Sequence, residues 1–194
     1  QDGVLANASK IMNRMIELKG LSQDVLKNSS DNDNYNREFK NLQVQLYEMS
    51  HITFNGVSLF ANLNSQGDSE ALFNDMNQDL NLDNTMSIFV SSDGSSGPKV
   101  SINKALLLSA LTVEADDLNQ SSPVPPITTN LWTNAADKTN QTTTQLYTFA
   151  SETYSNAISL GDISVGVFTK ALENLATLRA DNGGTMSRLQ FASE

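Results

Sequence analysis

Val4-Leu-Ala-Asn-Ala8-Ser-Lys-Ile11-Met-Asn-Arg-Met15-Ile-Glu-Leu18 is the stretch that decides the fold. Its apolar positions Val4, Ala8, Ile11, Met15 and Leu18 alternate steps of four and three, and the alternation runs on to Ser22 and Val25. Such steps draw one stripe along a helix with a seven-residue repeat. The spacing predicts a helix over 2–27, with Leu5, Met12, Ile16 and Leu26 widening the stripe on one side. A lone helix cannot bury that stripe, so it needs partner helices. The pattern suits an ordinary core helix and an assembly helix equally.

Working outward, Asn28-Ser-Ser-Asp31-Asn-Asp33-Asn34 interrupts the pattern. These side chains satisfy backbone groups locally and favour turns and caps. Asp31 or Asp33 is expected to cap a second helix over 34–50, where Tyr35, Phe39, Leu42, Leu46 and Met49 repeat the steps of four and three. Two such helices joined by a short polar turn should pack antiparallel. Thr53-Phe-Asn55-Gly56-Val57 then gives a tight-turn signal, Asn-Gly. Residues 62–83 read as irregular. Strands are expected over 86–91 and 99–103, joined by the Gly/Ser/Pro turn 93–98, and Ala105–Leu111 as one or two helical turns.

Residues 114–157 read as an irregular surface insert. It contains Ser121-Ser-Pro123-Val-Pro125-Pro126, the only Trp (Trp132) and a polar tract over 139–144. Leu146, Tyr147, Phe149, Ala150 and Tyr154 are expected on one face of a short helix. A last helix over 162–192, capped by Asp162, carries Val165, Phe168, Leu172, Leu175 and Leu178, with Met186 and Leu189 beyond the weak point Gly183-Gly184. It should lie beside the first helix and bring both chain ends to one end of a rod. The fold class expected is mainly α. It is an elongated bundle of long heptad-patterned helices, with a small β-hairpin region and an irregular insert. The expected rod core is Ile11, Met15, Leu18, Phe39, Leu42, Leu46, Phe168, Leu172 and Leu175. The expected divisions are 1–61 with 158–194 as the helical rod, 62–113 as the hairpin and short helix, and 114–157 as the insert.

Composition removes several chemistries. The 194 residues include 12 Lys+Arg, 22 Asp+Glu, one His and no Cys, a formal charge of −10. Without Cys there is no disulfide, thiolate metal site or cysteine nucleophile. A nucleic-acid surface needs clustered cations, so none is expected. No apolar run approaches the ~18 residues of a membrane span, and the opening Gln-Asp-Gly-Val has no leader-like character. Asn, Ser, Thr and Gln total 70 residues, a surface of amides and hydroxyls suited to an exposed or assembling protein. With 39% hydrophobic residues, a thin core in an elongated shape is expected. Asp31-x-Asp33-x-Tyr35 lacks the central Gly and closing Glu of a calcium loop, so capping is preferred there. His51 has no His-Glu-x-x-His around it, and the many hydroxyls have one His to serve them. Asp116-Asp117 reads as solvated charge. No enzyme activity, cofactor or metal is expected.

Three stretches together resemble a flagellin. Asp2-Gly-Val-Leu…Asn13-Arg14-Met-Ile-Glu17-Leu18 resembles the family's first helix, written with Gly-Ala-Leu and Leu-Gln-Arg-Val-Arg-Glu-Leu. The second helix, ending at Met49-Ser50 and followed by Thr53-Phe54-Asn55-Gly56-Val57, resembles the family's second helix and its Phe-Asn-Gly turn. Leu178-Arg179-Ala180-Asp181-Asn182-Gly183-Gly184…Arg188-Leu189 resembles the last-helix motif Arg-x-x-Leu-Gly-Ala-x-x-x-Arg, departing from it at Asn182 and Gly184.

The resemblance covers roughly the first 61 and last 33 residues. It implies a secreted subunit of the bacterial flagellar filament, exported unfolded through the flagellar secretion channel and truncated at both ends. Its partners would be copies of itself or other flagellins, an export chaperone and the filament cap. A Toll-like innate receptor reads some members through an Arg and a Leu on the first helix and a Glu on the second. By motif these fall on Arg14, Leu18 and Glu38, although Ile16 and Lys19-Gly20 depart from the family pattern. The alternatives are the hook–filament junction protein, which shares the rod, or a surface adhesin whose Trp132, Tyr147 and Tyr154 stack on sugars. The Ser and Thr residues of 114–157 are candidate carriers of O-linked glycans.

Overall fold

The computed structural model describes residues 1–24, 26, 28–55, 57–60, 85–89, 99–114, 118, 127–132 and 141–193. Among these the fold is mainly helical. Helix α1 spans Asp2–Ser22, α2 Ser29–Ser50, a short α3 Leu107–Ala110 and α4 Val165–Ser193. Strands β1 (Thr53–Phe54) and β2 (Val57–Ser58) form a tight hairpin, and β3 (Thr85–Phe89) pairs antiparallel with β4 (Lys99–Asn103). Strands β5 (Thr112–Glu114), β6 (Ile127–Trp132) and β7 (Gln141–Thr148) form an antiparallel sheet in the order β5-β7-β6.

Helix α1 runs antiparallel to both long partners. Its Arg14, in the second half of α1, meets Glu38 near the middle of α2, while Gln1 Nε2 donates to the Leu59 carbonyl beyond the end of α2. Its Lys19 reaches Leu160, just before α4, while Asp2 pairs with Arg179 at the middle of α4. The buried face of α1 is Leu5, Ala8, Ile11, Met12, Met15, Leu18 and Lys19. It packs with Phe39 and Leu46 of α2 and Val167, Phe168, Ala171, Leu175 and Leu178 of α4 in one cluster. Leu42 and Leu172, expected in the core, are half-buried at its edge. Phe168 sits at the centre. Its ring lies edge-on to Phe39 at 5.9 Å and stacks on Phe149 at 5.3 Å, spacings at which aromatic pairs attract.

Several boundaries differ from expectation, each for a local reason. Helix α1 stops at Ser22, five residues short of the expected end. Ser22 Oγ donates to the Lys19 carbonyl at 2.8 Å, and Asp24 Oδ1 accepts the Leu26 N–H at 3.0 Å. These side groups offer the backbone an alternative to the helical ladder. Leu26 consequently lies outside the stripe and is 88% exposed.

Helix α2 starts five residues earlier than expected, and its cap is Asn28 rather than Asp31 or Asp33. The Asn28 backbone is extended (φ −89°, ψ 172°) and its Oδ1 accepts the Asp31 N–H at 2.8 Å. Asp31 instead places its carboxylate in the first turn, where the helix dipole favours it. Asp162 does not cap α4 either. It ends a 3-10 turn, Leu160–Asp162, and the helix begins at Val165.

The largest correction concerns the insert. Leu146 and Tyr147 lie on β7, and no α-helix forms over 146–154. Thr142, Thr143 and Thr144 are β-branched and favour extended backbone, and their register pairs them with Leu131, Asn130 and Thr129. Tyr147, Phe149 and Ala150 then enter the helical core, and Tyr154 is exposed in a second 3-10 turn. Strand β3 is displaced by one residue at its start from the expected 86–91. The irregular stretch 62–83 and the turn 93–98 lie outside the described residues.

Phe168→Ala is expected to cost about 3–5 kcal/mol, because the ring is fully buried between two others. Urea unfolding of parent and variant measures it. A loss under about 1 kcal/mol would mean that Phe168 does not hold the core together.

Candidate functional site

The outer face of α1 and α2 carries one organised charge cluster. Arg14 Nε donates to Glu38 Oε1 at 2.6 Å and its Nη2 to Glu38 Oε2 at 3.1 Å, a two-point pair between the helices. Its Nη1 donates to Glu17 Oε2 at 2.7 Å, one helical turn along α1. The hydrogen bonds to Glu38, and then to Glu17, push the Arg14 guanidinium further above its already high pKa. Each group is about half exposed, so solvent screens the pairing and its worth is modest. Two of the three residues carried over from the flagellin motif, Arg14 and Glu38, therefore meet. The third, Leu18, is fully buried in the core and offers no surface of its own. Ile16 is half-buried against the core cluster.

Beneath this face lies a polar clamp on residues 151–160, the segment leading from β7 towards α4. Gln43 is fully buried, yet both ends of its amide are used. Its Nε2 donates to the Ile158 carbonyl at 2.8 Å and its Oε1 accepts the Ile158 N–H at 2.9 Å. The amide thus supplies the two bonds that a neighbouring strand would make. The Gln43 backbone carbonyl also accepts the Ser151 N–H at 3.2 Å. Asn36 Oδ1 accepts the Leu160 N–H at 2.9 Å, and Lys19 Nζ donates to the Leu160 carbonyl at 2.9 Å. Burial lowers the Lys19 pKa, and Asp162 partly opposes this by favouring the charged form. Sequence reasoning missed these three residues. The signal was present in the spacing: Gln43 stands one turn after Phe39, and Lys19 stands seven residues after Met12 and fourteen after Leu5.

The remaining candidates act locally. His51 Nδ1 lies 2.9 Å from the Tyr47 carbonyl and 3.0 Å from Ser50 Oγ, with its ring 4.2 Å from Tyr47. A carbonyl only accepts, so Nδ1 donates to it, and Ser50 Oγ donates to the same oxygen at 2.7 Å. Serine and histidine together close the end of α2. Among the described residues no group of three acidic or histidine residues could hold a metal, and no helix is long and apolar enough to cross a membrane. Trp132 lies on β6, Tyr147 is buried and Tyr154 is exposed with Lys40 Nζ 5.4 Å from its ring centre, so Tyr147 is withdrawn from the expected sugar-stacking trio. Asp116-Asp117 lies outside the described residues. A cavity of about 710 Å³ opens between Gln1, Lys104, Leu106 and the Leu178, Asp181 and Arg188 side of α4. Exposed apolar residues punctuate the surface: Leu26 at the α1–α2 turn, Ile52 and Phe54 at the β1–β2 hairpin, and Met186 and Phe191 late in α4.

No protein-family model matches the sequence, and no curated protein matches it.

Gln43→Leu is expected to cost about 2–4 kcal/mol, since it strips partners from a buried N–H and a buried carbonyl together. Guanidinium unfolding measures this, and a neutral result would place the clamp outside the folding energetics. Lys19→Met tests the buried cation through pH. The folded lysine loses its proton below the ordinary 10.5. Between that lowered value and 10.5 the unfolded protein holds more protons, so stability rises with pH in this window. The variant should lose this rise. Parallel stability–pH curves for parent and variant would contradict the assignment.

Proposed function

We propose that the protein is a structural subunit of the bacterial flagellar filament, exported through the flagellar channel and assembled by helix packing. In this reading the bundle is elongated and its helices follow a heptad repeat. The observation that carries the proposal is the route of the polypeptide. Two antiparallel helices lead into the β1–β2 hairpin, whose register pairs Phe54 with Val57, and a last helix returns along the first. That order is the one the motifs imply, with the three motif stretches on α1, the end of α2 with its hairpin, and α4. The inner faces make the core, and the amide-rich outer faces, with the exposed apolar residues among them, contact neighbouring subunits. Copies of this protein or other flagellins, an export chaperone and the filament cap are the proposed partners. A Toll-like receptor would meet Arg14 already held by Glu38 and Glu17, and Leu18 buried.

The test is quantitative mass spectrometry of filaments sheared from the bacterium that makes the protein, with the hook fraction separated. Its peptides should dominate the filament. A few copies confined to the hook end would replace this reading with the junction protein. Recovery from the cell surface alone would favour the adhesin.

A further inference from the structure

We propose that Asn55-Gly56 is a site of spontaneous covalent modification, where the Asn55 carboxamide nitrogen is lost as ammonia and the turn acquires an isoaspartyl linkage. The sequence holds two Asn-Gly pairs, at 55–56 and at 182–183. In each, the backbone nitrogen of the glycine can attack Cγ of the preceding asparagine. The nitrogen gives up its proton to solvent, a new C–N bond closes a five-membered imide, and the bond from Cγ to the carboxamide nitrogen breaks. The departing nitrogen takes up a proton and leaves as ammonia. Water then opens the imide at either carbonyl, giving aspartate or isoaspartate. The balance is one water consumed and one ammonia released. Glycine permits the attack because no Cβ obstructs its nitrogen and its backbone adopts many conformations.

The fold separates the two pairs. Asn55 is exposed, has a positive φ of 50°, and sits between two strands of only two residues each. Its carboxamide has no hydrogen-bond partner among the described residues. Thr53 and Phe54 are exposed as well, so the β1–β2 ladder is covered by little. A hairpin this short is marginal and opens locally at small cost. Asn182 lies inside α4, half-buried. There the following N–H is engaged by the carbonyl four residues back, and ring closure must wait until the helix opens.

The product would matter to the hairpin. Isoaspartate routes the main chain through Cβ and so lengthens a two-residue loop whose register pairs Phe54 with Val57. It also adds a carboxylate beside Phe54, which is 66% exposed. The hairpin would lose its register, and with it the placement of Ile52 and Phe54. This inference is independent of the filament reading.

The experiment incubates the whole protein at mildly alkaline pH, folded and in denaturant, and digests it at intervals. Peptide masses report each conversion as a gain of about one mass unit, and isoaspartyl methyltransferase labelling reports the linkage. Asn55→Asp serves as the reference that cannot form the imide by loss of ammonia. In the folded protein the Asn55 peptide should convert at least about tenfold faster than the Asn182 peptide, equivalent to ~1.4 kcal/mol of helix opening. In denaturant the two rates should converge. Folded rates within that factor of each other, an unmodified Asn55, or a ratio that persists in denaturant would each overturn the proposal.

Discussion

The constraint on which everything else depends is that α1 has two faces to bury and neither partner can cover both. Leu5, Met12 and Lys19 continue one row, and Ala8, Ile11, Met15 and Leu18 the other. A helix with a stripe this wide is stable only between two neighbours. Helices α2 and α4 are those neighbours, yet they are separated in sequence by more than a hundred residues. The polypeptide between them therefore has to leave α2, form its hairpins and sheet, and return to the start of α4. At ~1.5–3 kcal/mol for each large apolar residue buried, the three-helix contact outweighs any single hairpin. The sheets are arranged around it.

That return explains the clamp. Residues 157–159 cross α2 with extended backbone at Ala157 and Ser159, and no strand among the described residues lies alongside to pair with them. Buried backbone groups without partners are costly. Gln43 answers with both ends of one amide, while Asn36 and Lys19 between them satisfy the two sides of Leu160. A hydrophobic residue at position 43 would fill the space but leave two backbone groups unpaired. Lys19 is the less comfortable member, since burying a cation opposes the gain from its single carbonyl bond. Its long aliphatic stem recovers part of that by packing in the row after Met12.

What the sequence made legible follows the same division. The stripes of α1, α2 and α4 could be read because apolar residues at helical spacing have few other uses. The Asn55-Gly56 turn was legible because few residues tolerate positive φ. The ends of helices were harder. Asn28, Asp31 and Asp33 are all competent caps by residue type, and only the fold shows that Asn28 Oδ1 takes the Asp31 N–H. Strand β7 was misread because Leu146, Tyr147, Phe149 and Ala150 are short apolar neighbours whose periodicity fits a helix turn as well as a strand. The adjoining threonines carried the better signal. The clamp was hidden for a different reason: polar residues on a buried row look like breaks in the stripe until the backbone they serve is known.

Electrostatics bears on the proposed association of one copy with the next. In the proposed filament, a charge of −10 on 194 residues would make each approaching copy repel the next, but only within a Debye length of about 8–10 Å at ordinary ionic strength. Two of the described cations, Arg14 and Arg179, are occupied by carboxylates of the same molecule. In that proposal, attraction would come from contacts at short range. Amides and hydroxyls on the outer faces supply hydrogen bonds that carry no net charge. Leu26, Phe54, Met186 and Phe191 supply apolar area that water does not favour. Assembly should therefore strengthen with added salt, which screens the repulsion and leaves these contacts intact. An interface built on ion pairs would weaken instead.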